Sequence, residues 1–480
     1  MKGTPMGIHG AGKGMVSPSR ANRTSDDQSS LTIATDRVSQ IRTEAWNEAM
    51  RLATDVVVKS AGMALIYPVL RVGDAVPAFS DKDAERKIKR LAESAFPQIY
   101  FGQLLKDLHA QSLTQRRRIA VRNSKGGVGK TPVASNLAAI MSWVIKAAVA
   151  LVDVNENDGS TAQQIGIERD ETVNLTQAIH EPWRFRKADT VFQLMRPEKY
   201  NVYVMSSAVT PDHSITAEQV RQTILRLYLN GMHSSVADGG NGNSHPSNVG
   251  AVDAATTLVI PALEGDSLSY ERVLSTMLFY SENGYEDLVS RAFIVISATK
   301  PGSREDLLPE YVKLLEEAAK VKVDTANGGK RQLTLEEFNI KPERIFLIPF
   351  DQHIKDRQIV DHEAISRETL TAYLELLVAI FSQEIPAEDM RIEDPDAFDF
   401  ASAVSSLQEM YGLPESAFDG FKLDATRTDA DNLMALISWL ATSRSQSTKN
   451  VVQPHRNSDT GWVSSHPDSS IAPHNGVPIR

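Results

Sequence analysis

The chain reads as an α/β protein: a doubly wound, mostly parallel sheet with helices on both faces, carrying helical N- and C-terminal extensions. Three observations predict this. A short apolar run, Ile119 to Val121, leads into Ser124-Lys125-Gly126-Gly127-Val128-Gly129-Lys130-Thr131, and a helical pattern from Val133 to Ile145 leads out. From Arg118 to Ser382, strand-like apolar runs alternate with helical patterns, as crossover units of a parallel sheet do. Two of the strand-like runs carry an acid at or next to their carboxyl end, Asp153 and Asp238, and ligands of such sheets sit beyond the carboxyl ends of the strands.

The elements follow in order. Strands are expected at 119–122, 148–154, 200–205, 235–238, 257–261, 292–297 and 344–348. Helices are expected at 131–146, 175–180, 217–229, 249–254, 267–283, 305–320 and 361–382, because their apolar residues recur at helical spacing. The stretch 323–333, with Asn327-Gly328-Gly329, reads as a loop. Ahead of the sheet, Thr35 or Asp36 is placed to cap a helix whose apolar face is Val38, Ile41, Ala45, Ala49, Leu52 and Val56. Two further helices are expected at 81–95 and 104–113. Trp46 fits a core and an interface equally. These elements divide the chain into 1–34 (disordered), 35–115 (helical leader), 116–385 (the sheet domain), 386–445 (a small helical extension) and 446–480 (a disordered tail).

The glycine stretch is built for phosphate. Its glycines let backbone N–H groups turn inward, and the helix start adds its positive end. Lys130 would reach the β- and γ-phosphates, and the Thr131 hydroxyl would sit on Mg2+. Gly126, Gly127, Val128, Gly129, Lys130, Thr131 and Pro132 are therefore the nucleotide-binding candidates. A glycine-rich turn with two solvated lysines is the bland alternative. The general pattern wants a glycine at 124, where this chain has Ser124. With Lys125-Gly126-Gly127 in its place, the stretch resembles the deviant P-loop of the ParA/MinD family, K-G-G-x-G-K-[ST]. The resemblance implies a P-loop ATPase of the SIMIBI class, with Lys125 as a catalytic lysine reaching across a homodimer that closes around ATP. A decoy, Gly7-Ile8-His9-Gly10-Ala11-Gly12-Lys13-Gly14, has similar spacing but no strand before it and no hydroxyl after its lysine.

Two more motifs extend the resemblance. The segment from Leu151 to Thr161 is similar to the family's D-x-D-P-x-x-x-x-T. Asp153 takes the first aspartate, a catalytic and metal position. Asn155 stands at the second, where an amide can orient water but cannot accept its proton. Asp158 is the nearest spare carboxylate, and the D-x-N pattern is closest to actinobacterial MinD-like ATPases. An acid capping the following turn is the plainer reading of Asp153. The segment Ser235-Val236-Ala237-Asp238-Gly239-Gly240 resembles Walker B, with Asp238 holding Mg2+ through water. The Gly-, Asn- and Ser-rich stretch 239–248 then reads as a γ-phosphate-sensing switch or as a plain surface loop. Ser297-Ala298-Thr299-Lys300 lacks the asparagine that relatives place near adenine. Pro349 and Asp351 are the adenine-pocket candidates, against an ordinary strand-to-helix turn.

Composition narrows the function. There are 480 residues, 41% hydrophobic and 23% charged, and no cysteine. That composition suits a globular protein and removes disulfides, thiolate metal sites and cysteine nucleophiles. The net charge of −10 does not attract DNA or an anionic membrane on average. The run Arg116-Arg117-Arg118 reads as a solvated loop leading into the first strand, or as a local anion or nucleic-acid contact. The most apolar stretch, 56–72, is interrupted by Lys59, Pro68 and Arg71, so no integral membrane association is expected and the location should be cytoplasmic. The function expected is a Mg-ATP-dependent molecular switch serving partition or positioning of a plasmid, chromosome or protein cargo. The alternatives are an accessory ATPase of a type VII secretion-like system and a slow or non-hydrolysing nucleotide-bound scaffold. A protein partner is expected on the helical flanks, and DNA stays open.

Overall fold

All seven expected strands exist, and they form one parallel sheet. They are β1 (Arg118–Val121), β2 (Val149–Asp153), β3 (Val202–Met205), β4 (Ser234–Asp238), β5 (Thr257–Leu263), β6 (Phe293–Ser297) and β9 (Ile345–Ile348), in the spatial order β3-β2-β4-β1-β5-β6-β9. The structure is a computed structural model. It describes residues 33–66, 81–155, 159–168, 173–185, 191–192, 194–207, 215–302, 308–319, 322–324, 330–332, 338–339, 341–356 and 358–390, with 404, 421, 435–436 and 439–440.

Alternate strand residues face opposite layers, as the period of two requires. Ile119, Val121, Val149, Leu151, Val236 and Val295 join one core with α1 (Ile33–Ile66), α2 (Asp81–Ser112), α3 (Lys130–Ile145) and α8 (Arg367–Ser382). Ala120, Leu258, Ile260 and Ile294 face the other way, towards α6 (Ser267–Glu282) and α7 (Leu308–Ala319). Ala150, Val152 and Ala237 pack beside α4 (Ala217–Leu229) and α5 (Pro246–Ala254) on that second face. Helices on both faces explain why the strands read as continuous apolar runs. β1 and β2 are buried at every position.

The leader departs from its expected outline. α1 is already helical at Ile33, so Thr35 and Asp36 lie inside it and do not cap its start. The two later helices are one, α2, which runs unbroken through Pro97. A proline inside a helix removes a hydrogen bond and crowds the preceding turn. Here packing outweighs it: Phe96 stacks on Tyr100 at 5.4 Å and meets Trp46 edge-on at 5.8 Å. Trp46 is therefore a half-buried core residue. Glu375 of α8 accepts from Arg42 at 2.8 Å and from Tyr100 at 2.6 Å, tying α1 and α2 to the sheet domain.

The stretch expected as a loop carries a small antiparallel pair, β7 (Lys322–Asp324) with β8 (Lys330–Gln332). Asn327-Gly328-Gly329 between them lies outside the described residues, as do the decoy at 7–14, Asp158 and the tail. The chain forms two compact units, Met1–Asp396 and Ala397–Arg480. In the second, Leu436 is buried, and the rings of Phe421 and Trp439 stand 6.0 Å apart.

The arginine run fits neither reading made from sequence. Arg117 and Arg118 are buried. Arg116 stacks 3.6 Å above the Tyr228 ring and donates to Tyr228 O at 2.7 Å and His233 O at 3.1 Å. Arg117 donates to the carbonyls of Ile380, Phe381 and Gln383 at 2.6–2.9 Å. Arg118 donates to Ala254 O at 2.6 Å and to Asp389 O. The three side chains thus satisfy the carboxyl ends of α4, α8 and α5, where helix carbonyls lack partners and the dipole favours a cation.

Candidate functional site

The site forms at the carboxyl ends of β1, β2 and β4, because these strands stop in register. Val121 lies opposite Asp238, and Asp238 lies opposite Asp153. The loop after β1 turns back through Gly127 (φ 74°) and Gly129 (φ 86°), left-handed conformations that other residues adopt only with strain. α3 then begins at Lys130 with Gly129 as its cap. Val128 is buried, and Pro132 lies in the first turn of α3.

Lys130 is largely buried. Its ammonium donates to Lys125 O at 2.7 Å and to Asn241 Oδ1 at 3.1 Å. Burial, with the nearby Arg122 charge, lowers its pKa from 10.5 to about 8. Lys125 pairs with Asp266, the cap of α6, so its side chain lies on its own subunit.

Asp153 and Asp238 are both wholly enclosed, side by side on neighbouring strands. Asp153 accepts from Asn155 N at 3.1 Å and, at 3.4 Å, from Thr161 N. Thr161 Oγ1 donates to Asp238 Oδ2 at 2.7 Å. The other oxygen, Asp238 Oδ1, accepts no hydrogen bond from any described residue, although the Thr131 hydroxyl lies beside the carboxylate. Burial raises both carboxyls, and the Asp238 charge adds to the effect on Asp153, whose pKa moves from 3.8 to about 7. Two crowded carboxylates, an oxygen without a donor and a nearby hydroxyl are a hard-oxygen set that suits a divalent cation. Among the described residues no three His, Cys, Asp or Glu side chains cluster. Phosphate and water oxygens would have to complete such a coordination shell.

The surrounding loops are shaped to the pair. A Cβ on Gly159 would lie 2.0 Å from Asp153 Oδ2, so only glycine admits the carboxylate there. Asn155 Oδ1 would stand 2.8 Å from a Cβ on Gly240, which places the amide against the loop after β4. Ser247 Oγ donates to Val154 O at 2.8 Å, tying the far end of that loop to β2.

The adenine candidates fare differently. Ala298 N donates to Ile348 O at 2.9 Å, so the turns after β6 and β9 lie together. Ser297 Oγ stands 3.7 Å from a Cβ built on Gly129, which brings that edge to the phosphate loop. Pro349 follows β9 on it. The Asp351 carboxylate accepts from His353 N and Ile354 N and, at 2.7 Å, from Ser366 N. It caps the turn Gln352–Lys355, the ordinary strand-to-helix alternative. Sequence reading did not single out Arg122, and it took in Asn241 and Asn248 only as part of the 239–248 stretch. Only Asn241 stands between glycines, a signal that any loop shares.

Comparison with known proteins gives three findings. Residues 116–233 match the model of a family described as an AAA domain, AAA_31. The ESX-1 secretion-associated protein EspI of Mycobacterium tuberculosis (strains CDC 1551 / Oshkosh and ATCC 25618 / H37Rv) is 24% identical over 254 residues, 52% of this chain. The match spans only 34% of that relative's length. Among solved structures, a ParA family ATPase from Chlorobium tepidum TLS is 16% identical, with a TM-score of 0.41 over 54% of this chain and 97% of that one. MinD of Pyrococcus horikoshii OT3, complexed with Mg-ADP, is 15% identical, with a TM-score of 0.37 over 55% and 95%. At those values the fold rests on the sheet order described above.

Proposed function

We propose, from the premise that this chain carries a ParA/MinD-family P-loop ATPase domain, that it is a Mg-ATP-dependent molecular switch. The observation that supports this best is the buried pair Asp153 and Asp238, facing Thr131 and Lys130 at the mouth of the phosphate loop. That arrangement sets two crowded carboxylates beside a loop shaped for phosphate, and Mg-ATP carries a cation for the one and an anion for the other.

In this reading Thr131, Asp153 and Asp238 hold Mg2+, which when bound neutralises phosphate charge and orients the γ-phosphate. Lys130 and the N–H groups of residues 126–131 bind the phosphates and stabilise charge that develops on them. Asn155 orients the attacking water without taking its proton, so hydrolysis is slow. Lys125 leaves Asp266 and crosses to a second copy of the chain when two subunits close on ATP. Pro349 lines the base through its backbone.

The partner is a protein. Two observations favour this over DNA partition: the arginine run that could have formed a basic face is engaged inside the fold, and the similarity to a secretion-associated protein points to secretion. Plasmid or chromosome partition is the second reading. No described helix is long and apolar enough to cross a membrane.

The test is phosphate release from Mg-ATP, with and without non-specific DNA at low salt. Release that is slow, indifferent to DNA and lost in Lys130→Ala is expected. Stimulation by DNA would move partition to first place. Binding without release would favour the nucleotide-held scaffold, and unchanged affinity and turnover in Lys130→Ala would overturn the ATPase reading.

A further inference from the structure

Arg122, the residue after β1, is wholly buried and makes no ion pair among the described residues. Its guanidinium reaches into the loop after β4. Nη1 donates to Gly240 O at 3.1 Å and to Asn248 Oδ1, and Nη2 donates to Gly242 O at 2.9 Å. Nε donates to the Tyr280 hydroxyl at 3.2 Å. The two carbonyls belong to the residues on either side of Asn241. Asn248 adds a second hold, donating to Gly242 O at 2.7 Å. Room for the guanidinium comes from Gly239, where a Cβ would fall 1.6 Å from Arg122 Nη1.

Gripped on both sides, Asn241 is presented to the phosphate loop. Its amide lies over Gly126, where a Cβ would stand 3.3 Å from both Oδ1 and Nδ2. Its Oδ1 receives the Lys130 ammonium at 3.1 Å. Lysine only donates, so the atom facing it must be the amide oxygen. A neutral oxygen therefore sits where the proposed function puts a phosphate oxygen.

We infer that Asn241 is an internal acceptor occupying the phosphate place at Lys130, and that Arg122 is the positioning residue that holds it there. Nucleotide binding and release of the loop are then one event, since the phosphate must displace the amide from both Lys130 and Gly126. The inference rests on the nucleotide reading above and adds the element that the nucleotide works against. A binding-competent state populated only in part weakens apparent affinity by that fraction. The amide is neutral, so a phosphate displaces it. A carboxylate at the same place would pair with the lysine and repel phosphate.

The experiment is calorimetric titration of the full chain with Mg-ADP and with a Mg-bound non-hydrolysable ATP analogue. Asn241→Ala should tighten binding by roughly three- to tenfold, the opposite of losing an ordinary contact. Asn241→Asp should weaken it by roughly tenfold or more. Arg122→Lys keeps the buried charge but cannot span two carbonyls, so it should move affinity in the direction of Asn241→Ala. Asn248→Ala, which loosens the same carbonyl, replaces it if Arg122→Lys does not fold. Unchanged or weaker binding in Asn241→Ala overturns the inference while the wild-type chain still binds. Absence of binding in the wild-type chain removes the nucleotide reading and this inference with it.

Discussion

The two ends of the parallel sheet bury charge in opposite ways. At the amino end, Arg117, Arg118, Arg291 and Arg344 are all enclosed. Helix-terminal carbonyls accept from Arg117 and Arg118, and Asp389 pairs with Arg291 at 2.6 Å. Burial lowers the Arg117 pKa to about 10, still well above neutrality, so the cation stays charged. At the carboxyl end, Asp153 and Asp238 stand together, and the nearby Lys130 and Arg122 charges do not offset the burial and mutual repulsion that push Asp153 up to about 7. A buried charge surrounded by fixed partners holds a fold together. A crowded pair of buried carboxylates marks where a ligand can bring compensating charge.

Removing a charge from each end should therefore have opposite effects. Arg117→Ala strips the end of α8 of its donors and leaves a cavity, so it should lose about 3–5 kcal/mol in urea unfolding. Nucleotide affinity of the folded fraction should not change, because the site is at the other edge. A loss of affinity with little loss of stability would break the comparison. Asp238→Asn relieves the like-charge pair, so the nucleotide-free chain should gain roughly 1–2 kcal/mol while turnover disappears. Destabilisation in that variant would make the pair scaffold too.

The same pair sets a pH slope. The folded chain keeps a proton on Asp153 that the unfolded chain releases above the ordinary value of 3.8. The stability this contributes is fully present below that pH and is lost as pH rises through about 7. Thermal midpoints of the nucleotide-free chain should fall across that window, and Asp238→Asn should flatten the fall. An equal slope in both proteins would place the proton elsewhere.

Much of the carboxyl end was legible in the sequence, because its chemistry is local. A glycine loop between strand and helix, and acids at strand ends, occupy short windows whose spacing carries the geometry. The seven strands were legible too, since two-sided burial makes each a continuous apolar run. The amino end was not. Arg116–Arg118 looks like a solvated charge run because its partners, the ends of α4, α5 and α8, lie more than a hundred residues away in the chain. The unbroken α2 was hidden for a similar reason: Pro97 argues for a break locally, and only packing with Trp46 and Tyr100 decides otherwise. Asn241 was legible only as one residue of the 239–248 stretch, because its meaning depends on a buried arginine immediately after β1, not on any motif.

The smallest effect tests the amino end from within. His233 sits between Ser112 O, 2.8 Å from Nε2, and Ser234 Oγ, 2.9 Å from Nδ1. With Nε2 donating to the carbonyl, Nδ1 is left to accept from the hydroxyl, which fixes a neutral ring. Burial lowers its pKa below 6.5, and the charges of Arg116 and Arg117 lower it further, outweighing the carbonyl bond. The stability it contributes is present above 6.5 and is lost as pH falls through the lower folded value. His233→Gln should cost under about 1 kcal/mol at pH 8, and its urea midpoint should gain on that of the parent chain as pH falls from neutral to mildly acidic. The two edges thus leave opposite signs in one titration: protonation stabilises the carboxyl end and destabilises the amino end. If the gap between His233→Gln and the parent chain does not change with pH, the arginine-rich edge tolerates an added positive charge, and its cations are less completely engaged than their carbonyl partners imply.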